Sequence, residues 1–118
     1  MTELALDPAA FAHALVERDA DALAALYAVD AVVTMHDKDH PPGAPMVLAG
    51  REAIHAWYRD VCARNVEHEV PTLIDSPSGF AFEEQCRYPT GERVVCIAVA
   101  RVENGFITRQ TGSQTWDG

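Results

Sequence analysis

Apolar residues keep two different spacings along this chain. Up to Asn65 they recur mainly three and four positions apart, as on one side of a helix, and from Val66 they alternate with polar residues, as on one face of a strand. Asp7-Pro8 marks a helix start, a carboxylate to cap free amides followed by a proline in the first turn, and Phe11, Ala14, Leu15 and Arg18 follow at helical spacing. Asp19 caps a second short helix whose Leu23, Leu26 and Tyr27 share a face and which ends just before Asp30. Residues 31–36, Ala-Val-Val-Thr-Met-His, are β-branched enough for a strand. Asp37 to Pro45 holds three prolines and a glycine and is predicted to be a loop, placed over a pocket mouth. Met46 to Ala49 is a short strand ending at Gly50. Ala53, Ile54, Trp57, Tyr58 and Val61 then repeat at i, i+3, i+4 and i+7, the strongest helix pattern in the chain.

Four alternating strands fill the remainder. Ser76-Pro77-Ser78-Gly79, Pro89-Thr90-Gly91 and Asn104-Gly105 separate them, and each is a hairpin signal. Two helices, a strand pair, one helix and a four-stranded meander predict an α+β domain. N-terminal helices pack on a strongly curved sheet that leaves a concave face.

With 118 residues, 48% of them apolar, the chain is sized for a single domain over 1–118 with one core. Eighteen acidic residues against nine basic ones give a net charge of −9, which repels phosphate backbones and anionic lipid, so neither nucleic acid nor a membrane surface is expected as a partner. The acidic residues are scattered as on a solvated surface. No stretch nears the ~20 apolar residues a bilayer crossing needs, and Met1 to Asp7 lacks the basic start and apolar run of a signal peptide. Cys62, Cys86 and Cys96 are odd in number and without CxxC spacing, which speaks against a disulfide framework and a zinc finger. A reduced, cytoplasmic location is expected. Lys38 is the only lysine amid many alanines and arginines, a bias of GC-rich bacterial genomes.

Several segments in order resemble the nuclear transport factor 2-like superfamily, in its SnoaL-like and ketosteroid isomerase-like branch. They are Arg18-Asp19-Ala20-Asp21 leading to Ala25-Leu26-Tyr27-Ala28-Val29-Asp30-Ala31, Gly50-Arg51-Glu52-Ala53-Ile54 before Trp57-Tyr58, Glu103-Asn104-Gly105-Phe106-Ile107, and Trp116-Asp117. The resemblance implies a cone-shaped α+β barrel, helices on a strongly curved mixed or antiparallel sheet, with a pocket inside. It also implies a choice among isomerases, polyketide cyclases, dehydratases, epoxide hydrolases and non-catalytic binding domains, since fold alone does not fix function. The aspartate base, the tyrosine and the protonated aspartate of ketosteroid isomerases fall by this resemblance on Met35, Phe11 and Ala98. A thioether, a phenyl and a methyl group cannot take those roles. These three positions are expected to line the pocket instead.

Alternation places Phe80, Phe82, Glu84, Cys86 and Tyr88 on one inward face, which sets Glu84 among aromatic and thiol groups that penalise its charge. The other possibility is an edge carboxylate reaching solvent or an arginine. In the preceding strand Val66, His68, Val70, Thr72 and Ile74 share a face. If Ile74 pairs with Phe80, His68 lies across from Cys86 and diagonal to Glu84, with backbones roughly 7–8 Å apart. Glu84 and His68 are the expected proton carriers, although a histidine near the sheet edge also serves by bonding backbone. Cys86 and Cys96 face each other if Thr90 to Glu92 forms a three-residue loop. Zinc on these thiols and His68 is set aside in favour of thiols as small hydrophobes, and His36-Asp37-Lys38-Asp39-His40 is read as an exposed turn. No metal or organic cofactor is expected.

Tyr58, on the apolar stripe with Trp57, either donates to a substrate carbonyl or serves as a packing tyrosine whose hydroxyl finds a partner within the protein. In the last strand Ile107, Arg109, Thr111 and Ser113 form one face and Thr108, Gln110, Gly112, Gln114 and Trp116 the other, and by resemblance the second faces the pocket, where Gln110 and Gln114 position a ligand. Val95, Ile97 and Val99 form an outer stripe that a second copy of the chain would cover, giving a homodimer. The sequence thus predicts a cofactor-independent acid–base enzyme acting on an apolar, ring-sized substrate. The alternative is a non-catalytic dimeric binding or assembly domain.

Overall fold

The computed structural model describes residues 6–117, so the ends of the expected 1–118 domain, residues 1–5 and 118, lie outside the described residues. Helix α1 (Pro8–Val16) begins as anticipated, with Asp7 accepting from the Ala9 amide at 3.0 Å. Helix α2 (Ala20–Ala25) is capped by Asp19 but ends earlier than Asp30. The Ile107 amide donates to the Leu26 carbonyl at 2.8 Å and draws the chain into the sheet, so strand β1 spans Tyr27–His36 rather than 31–36. Val29, Val32 and Val33 favour that extended course. Tyr27 therefore belongs to a strand, not to a helical face.

Strand β2 (Met46–Ala49) and helix α3 (Arg51–Ala63) follow, and then strands β3 (Glu67–Ser76), β4 (Gly79–Arg87), β5 (Arg93–Glu103) and β6 (Phe106–Trp116). They form one six-stranded sheet in the order β2-β1-β6-β5-β4-β3. All neighbours are antiparallel except β1 and β6, which run parallel, so the sheet is mixed. It is curled rather than closed, with β2 and β3 as free edges: an open cone, not a full barrel.

The helices fill the concave side. Phe11 of α1 is fully buried and meets Phe80 and Phe82 of β4 with ring centroids 5.2 and 4.9 Å away. Ile54 and Tyr58 are the buried residues of α3, and the Arg51 side chain at its start donates twice to the Tyr27 carbonyl, at 2.8 and 2.7 Å. Two irregularities correct the expected faces. In β3, Glu69 pairs with Gln85 and Thr72 with Glu83, so Val70 and Pro71 together oppose Glu84 in a one-residue bulge. Proline has no amide to donate, and an edge strand is where that is tolerated. Beyond the bulge the faces invert: Asp75, not Ile74, pairs with Phe80, Leu73 packs on the core, and Ile74 is 64% exposed. In β6, Arg109 pairs with Arg101 and Ile107 with Val102, which leaves Thr108 as an extra residue and buries Ile107 completely. The β4–β5 connection is the five residues 88–92, not three, so Cys96 lies opposite Glu84 while Cys86 lies opposite Val94.

The register around β4 makes a prediction. A Cβ on Gly79 would lie 2.1 Å from the backbone carbonyl oxygen of Ala100, which cannot yield, whereas nothing lies within 4 Å of a Cβ on Gly43. Gly79→Ala is expected to cost about 3 kcal/mol in a urea titration, the upper range for overpacking. Gly43→Ala should stay within about 0.5 kcal/mol of the parent. Equal midpoints would contradict the close approach.

Candidate functional site

A cavity of about 200 Å³ lies between α1 and α3 and the concave face of the sheet. It exceeds the ~150 Å³ of an engineered cavity that takes up benzene, so it has room for a single ring. Its apolar part is made by Phe11, Met35, Trp57 and Phe82, and its polar part by Glu84, His68, Gln110 and Gln114. The residues expected at the pocket from the sequence line it, Tyr58 and Cys86 included, except Ala98, Thr108 and Gly112. Ala98 faces inward and is 1% exposed, beside Gly112 and the Met35 side chain, and does not reach the cavity wall. Ala98 is core, not wall.

The centre of the site is a histidine–glutamate pair on adjacent strands. His68 Nδ1 and Glu84 Oε2 are 2.8 Å apart, and their side chains are only 4% and 13% exposed. Cys86 Sγ is 3.3 Å from the same Nδ1, while His68 Nε2 is buried without a partner. This arrangement depends on the β3 bulge. Without the extra residue, a strand that starts from the Asp75–Phe80 pair would bring Glu69 rather than His68 opposite Cys86. The sequence-based pairing of His68 with Cys86 is present, although its premise, Ile74 opposite Phe80, is not.

A second polar feature runs behind the cavity. Tyr27 donates to Gln110 Oε1 at 2.5 Å, because an amide oxygen only accepts. The proton in the 2.7 Å contact between Tyr27 and Tyr58 therefore comes from Tyr58. The order is Tyr58 to Tyr27 to Gln110, so of the two roles read for Tyr58 the partner within the protein holds, not donation to a ligand: its proton is engaged, and its oxygen is left as an acceptor. Burial raises the pKa of both phenols, so neither ionises readily. Burial also pushes the Cys96 thiol up to about 12, with the Glu84 charge adding to it, and raises Cys86 for the same reasons.

Sequence reasoning missed Tyr27, and the only signal for it was the run of β-branched residues that follows. It also missed Arg64, and Asp37, whose segment reads as an exposed turn; both line the cavity. Asp37 is tied to its own turn, accepting from the Asp39 amide and meeting His40 Nδ1, both at 2.8 Å. At the partly exposed end of the cavity Tyr88 and Trp116 lie 5.7 Å apart, and Lys38 Nζ sits 4.7 Å from the centre of the Trp116 ring. Among the described residues no helix is long and apolar enough to cross a membrane.

The SnoaL-like domain family matches residues 9–110. Among solved structures, a Kribbella flavida protein provisionally named a ketosteroid isomerase superposes with a TM-score of 0.77 at 18% identity, over 92% of this chain and 74% of that one. A nuclear transport factor 2-like protein of unknown function from Mesorhizobium loti gives 0.78 at 18% identity, over 89% and 84%. A Catenulispora acidiphila protein with a ketosteroid isomerase-like fold, in complex with trimethylamine, gives 0.66 at 22% identity, over 89% and 82%. These likenesses establish the nuclear transport factor 2-like fold. No protein of curated function matches the chain significantly in sequence.

The donor order has a measurable consequence. Tyr27→Phe strands both the Tyr58 proton and the Gln110 carbonyl oxygen, and is expected to lower stability by about 1–3 kcal/mol in chemical denaturation. Tyr58→Phe removes one donor and leaves the Tyr27–Gln110 bond, so it should cost less. Equal losses would contradict the order. For the thiols, a Cys96 pKa near 12 predicts alkylation by iodoacetamide at about pH 8 on the order of 10³-fold slower than a free cysteine, from thiolate fraction alone. Peptide mapping of the labelled protein measures it.

Proposed function

The chain belongs to the SnoaL-like domain family, and we propose that it binds an uncharged, apolar, ring-sized molecule and performs acid–base chemistry on it with its own side chains. The reactions this suits are isomerisation, cyclisation, dehydration and epoxide opening. One observation carries the reading: a carboxylate and an imidazole held 2.8 Å apart in the wall of a cavity that is otherwise mostly apolar. Such a pair can take a proton from one carbon or oxygen and return it to another, a contribution typically worth 10²–10⁴ in rate.

In this reading Glu84 exchanges the proton with the substrate. His68 orients the carboxylate through Nδ1 and shares the charge that develops. Gln110, its carbonyl oxygen occupied by Tyr27, offers its amino group to a ligand acceptor, and the Tyr58 oxygen accepts from a ligand donor. Phe11, Trp57 and Phe82 hold the apolar ring, with Gln114 towards the open end. The trimethylamine held by the Catenulispora acidiphila neighbour is a guest of comparably small size.

The second reading is a non-catalytic, dimeric ligand-binding or assembly domain. Met35, Phe11 and Ala98 at the positions where ketosteroid isomerases carry their catalytic groups favour it. The outer face of β5 is apolar, with Ile97 and Val99 56% and 57% exposed. Both readings include a homodimer formed through that face. We place the protein in a bacterial cytoplasm, where its three free cysteines would stay reduced.

The test is a nuclear magnetic resonance screen of small cyclic ketones, lactones, alkenes and epoxides, followed by turnover assays on each binder. If the pair is catalytic, Glu84→Gln keeps ligand affinity while turnover falls at least about 10²-fold, and His68→Gln falls in the same direction. Binders that none of the proteins converts, held equally well by the variants, would establish the binding-domain reading instead.

A further inference from the structure

We propose that His68, Glu84 and Cys86 together form a binding site for a thiophilic divalent cation, of which Zn²⁺ is the representative. Their nearest ligand atoms, an imidazole nitrogen, a carboxylate oxygen and a thiol sulfur, all lie within 4.8 Å of one another. A tetrahedral zinc site with bonds of roughly 2.0 Å to nitrogen or oxygen and 2.3 Å to sulfur spaces its ligands about 3.3–3.5 Å apart. The nitrogen–sulfur separation here is 3.3 Å, and the nitrogen–oxygen separation of 2.8 Å needs to open only slightly. The carboxylate oxygen and the sulfur lie within 4.8 Å of each other and close towards about 3.5 Å on binding, between groups the backbone has already brought together. Glu84 and Cys86 are two residues apart on one face of β4, and His68 is the cross-strand partner of Cys86.

Charge and ligand type select the cation. Binding displaces the Cys86 thiol proton to solvent, and the resulting carboxylate, thiolate and neutral imidazole sum to −2, which a divalent ion cancels; nitrogen with sulfur favours zinc-like metals over magnesium or calcium. All three residues line the cavity, so a bound ion has a fourth position open to water or a cavity guest. The sequence reading set metal aside after grouping Cys96 with Cys86 and His68. The observed register puts Glu84, not Cys96, in that group. A metal-bound histidine normally donates its other N–H to a protein acceptor, worth about 10–100-fold in affinity, and His68 Nε2 has none. The site is therefore reversible rather than a permanent structural centre. An ion there would also occupy Glu84, the proposed proton carrier, and His68, which orients it, and silence the pair, a consequence that rests on the acid–base reading while the site itself does not.

The experiment is a titration of the full chain with Co²⁺, under a phosphine reductant that adds no thiol. A thiolate-to-cobalt charge-transfer band saturating at about one equivalent, with intense tetrahedral visible bands, both lost on adding Zn²⁺, is expected. Cys86→Ala should abolish the charge-transfer band and Cys96→Ala should leave it in place. Glu84→Gln should keep the band and weaken affinity at least about tenfold, in the range set by losing a ligand-shell partner. No charge-transfer band in the parent protein, a band that survives Cys86→Ala, or one lost with Cys96→Ala would each overturn the site. If Cys86→Ala does not fold, the parent titration and Glu84→Gln decide. The readout needs no substrate, so a missing band beside a turnover loss in Glu84→Gln refutes the cation site alone, and the converse refutes only the acid–base reading.

Discussion

Tyr27 is the joint on which this structure turns. Its hydroxyl links α3 through Tyr58 to β6 through Gln110, its carbonyl receives both Arg51 donors from the start of α3, and its backbone opens the parallel pairing of β1 with β6. It is fully buried, so its polar groups must be satisfied internally, and side chains of α3 and β6 meet its hydroxyl while α3 also meets its carbonyl. The helix layer is thereby fixed against the sheet at the base of the cavity. The aromatic contacts of Phe11 with Phe80 and Phe82 hold the opposite side by packing, which fills space but sets orientation less sharply than a directed hydrogen bond.

The same division explains how much of the molecule could be read beforehand. Element types follow from periodicity and turn residues, and the inward face of β4 follows from strict alternation, since no bulge interrupts Phe80, Phe82, Glu84 and Cys86. The faces that could not be read are those beyond Pro71 in β3 and beside Thr108 in β6. One extra residue inverts everything past it, and alternation carries no mark of where the extra residue sits. Pro71 was the available clue, since an absent amide is easiest to accommodate at an edge irregularity. Tyr27 could not be assigned because an apolar residue ending a helical stripe looks the same as one starting a strand, and only the pull of Ile107 on Leu26 separates the two. The cross-strand neighbour of Cys96 hinged on a loop length, five residues rather than three, which a proline–glycine turn signal does not specify.

Both proposals made for the cavity draw on one chemical fact. Two potentially anionic groups, Glu84 and Cys86, approach a single imidazole nitrogen in the partly buried wall of the cavity. A proton or a cation can settle that arrangement, and the two occupants are mutually exclusive at His68 Nδ1. The adjoining apolar wall makes the choice depend on what else the cavity holds, because a guest that excludes water strengthens every electrostatic contact beside it.

The two free edges of the sheet carry a further meaning. β2 is only four residues long and adjoins the proline-rich loop, and β3 is broken by a bulge that includes a proline. Neither edge offers the long, regular row of amides and carbonyls on which another strand could template, so sheets of this protein are poorly suited to extend edge to edge into fibrils. The exposed valine and isoleucine stripe on β5 is thereby kept from becoming the flank of a growing polymer, and the aggregation hazard of a sticky face is contained by the shape of the rims.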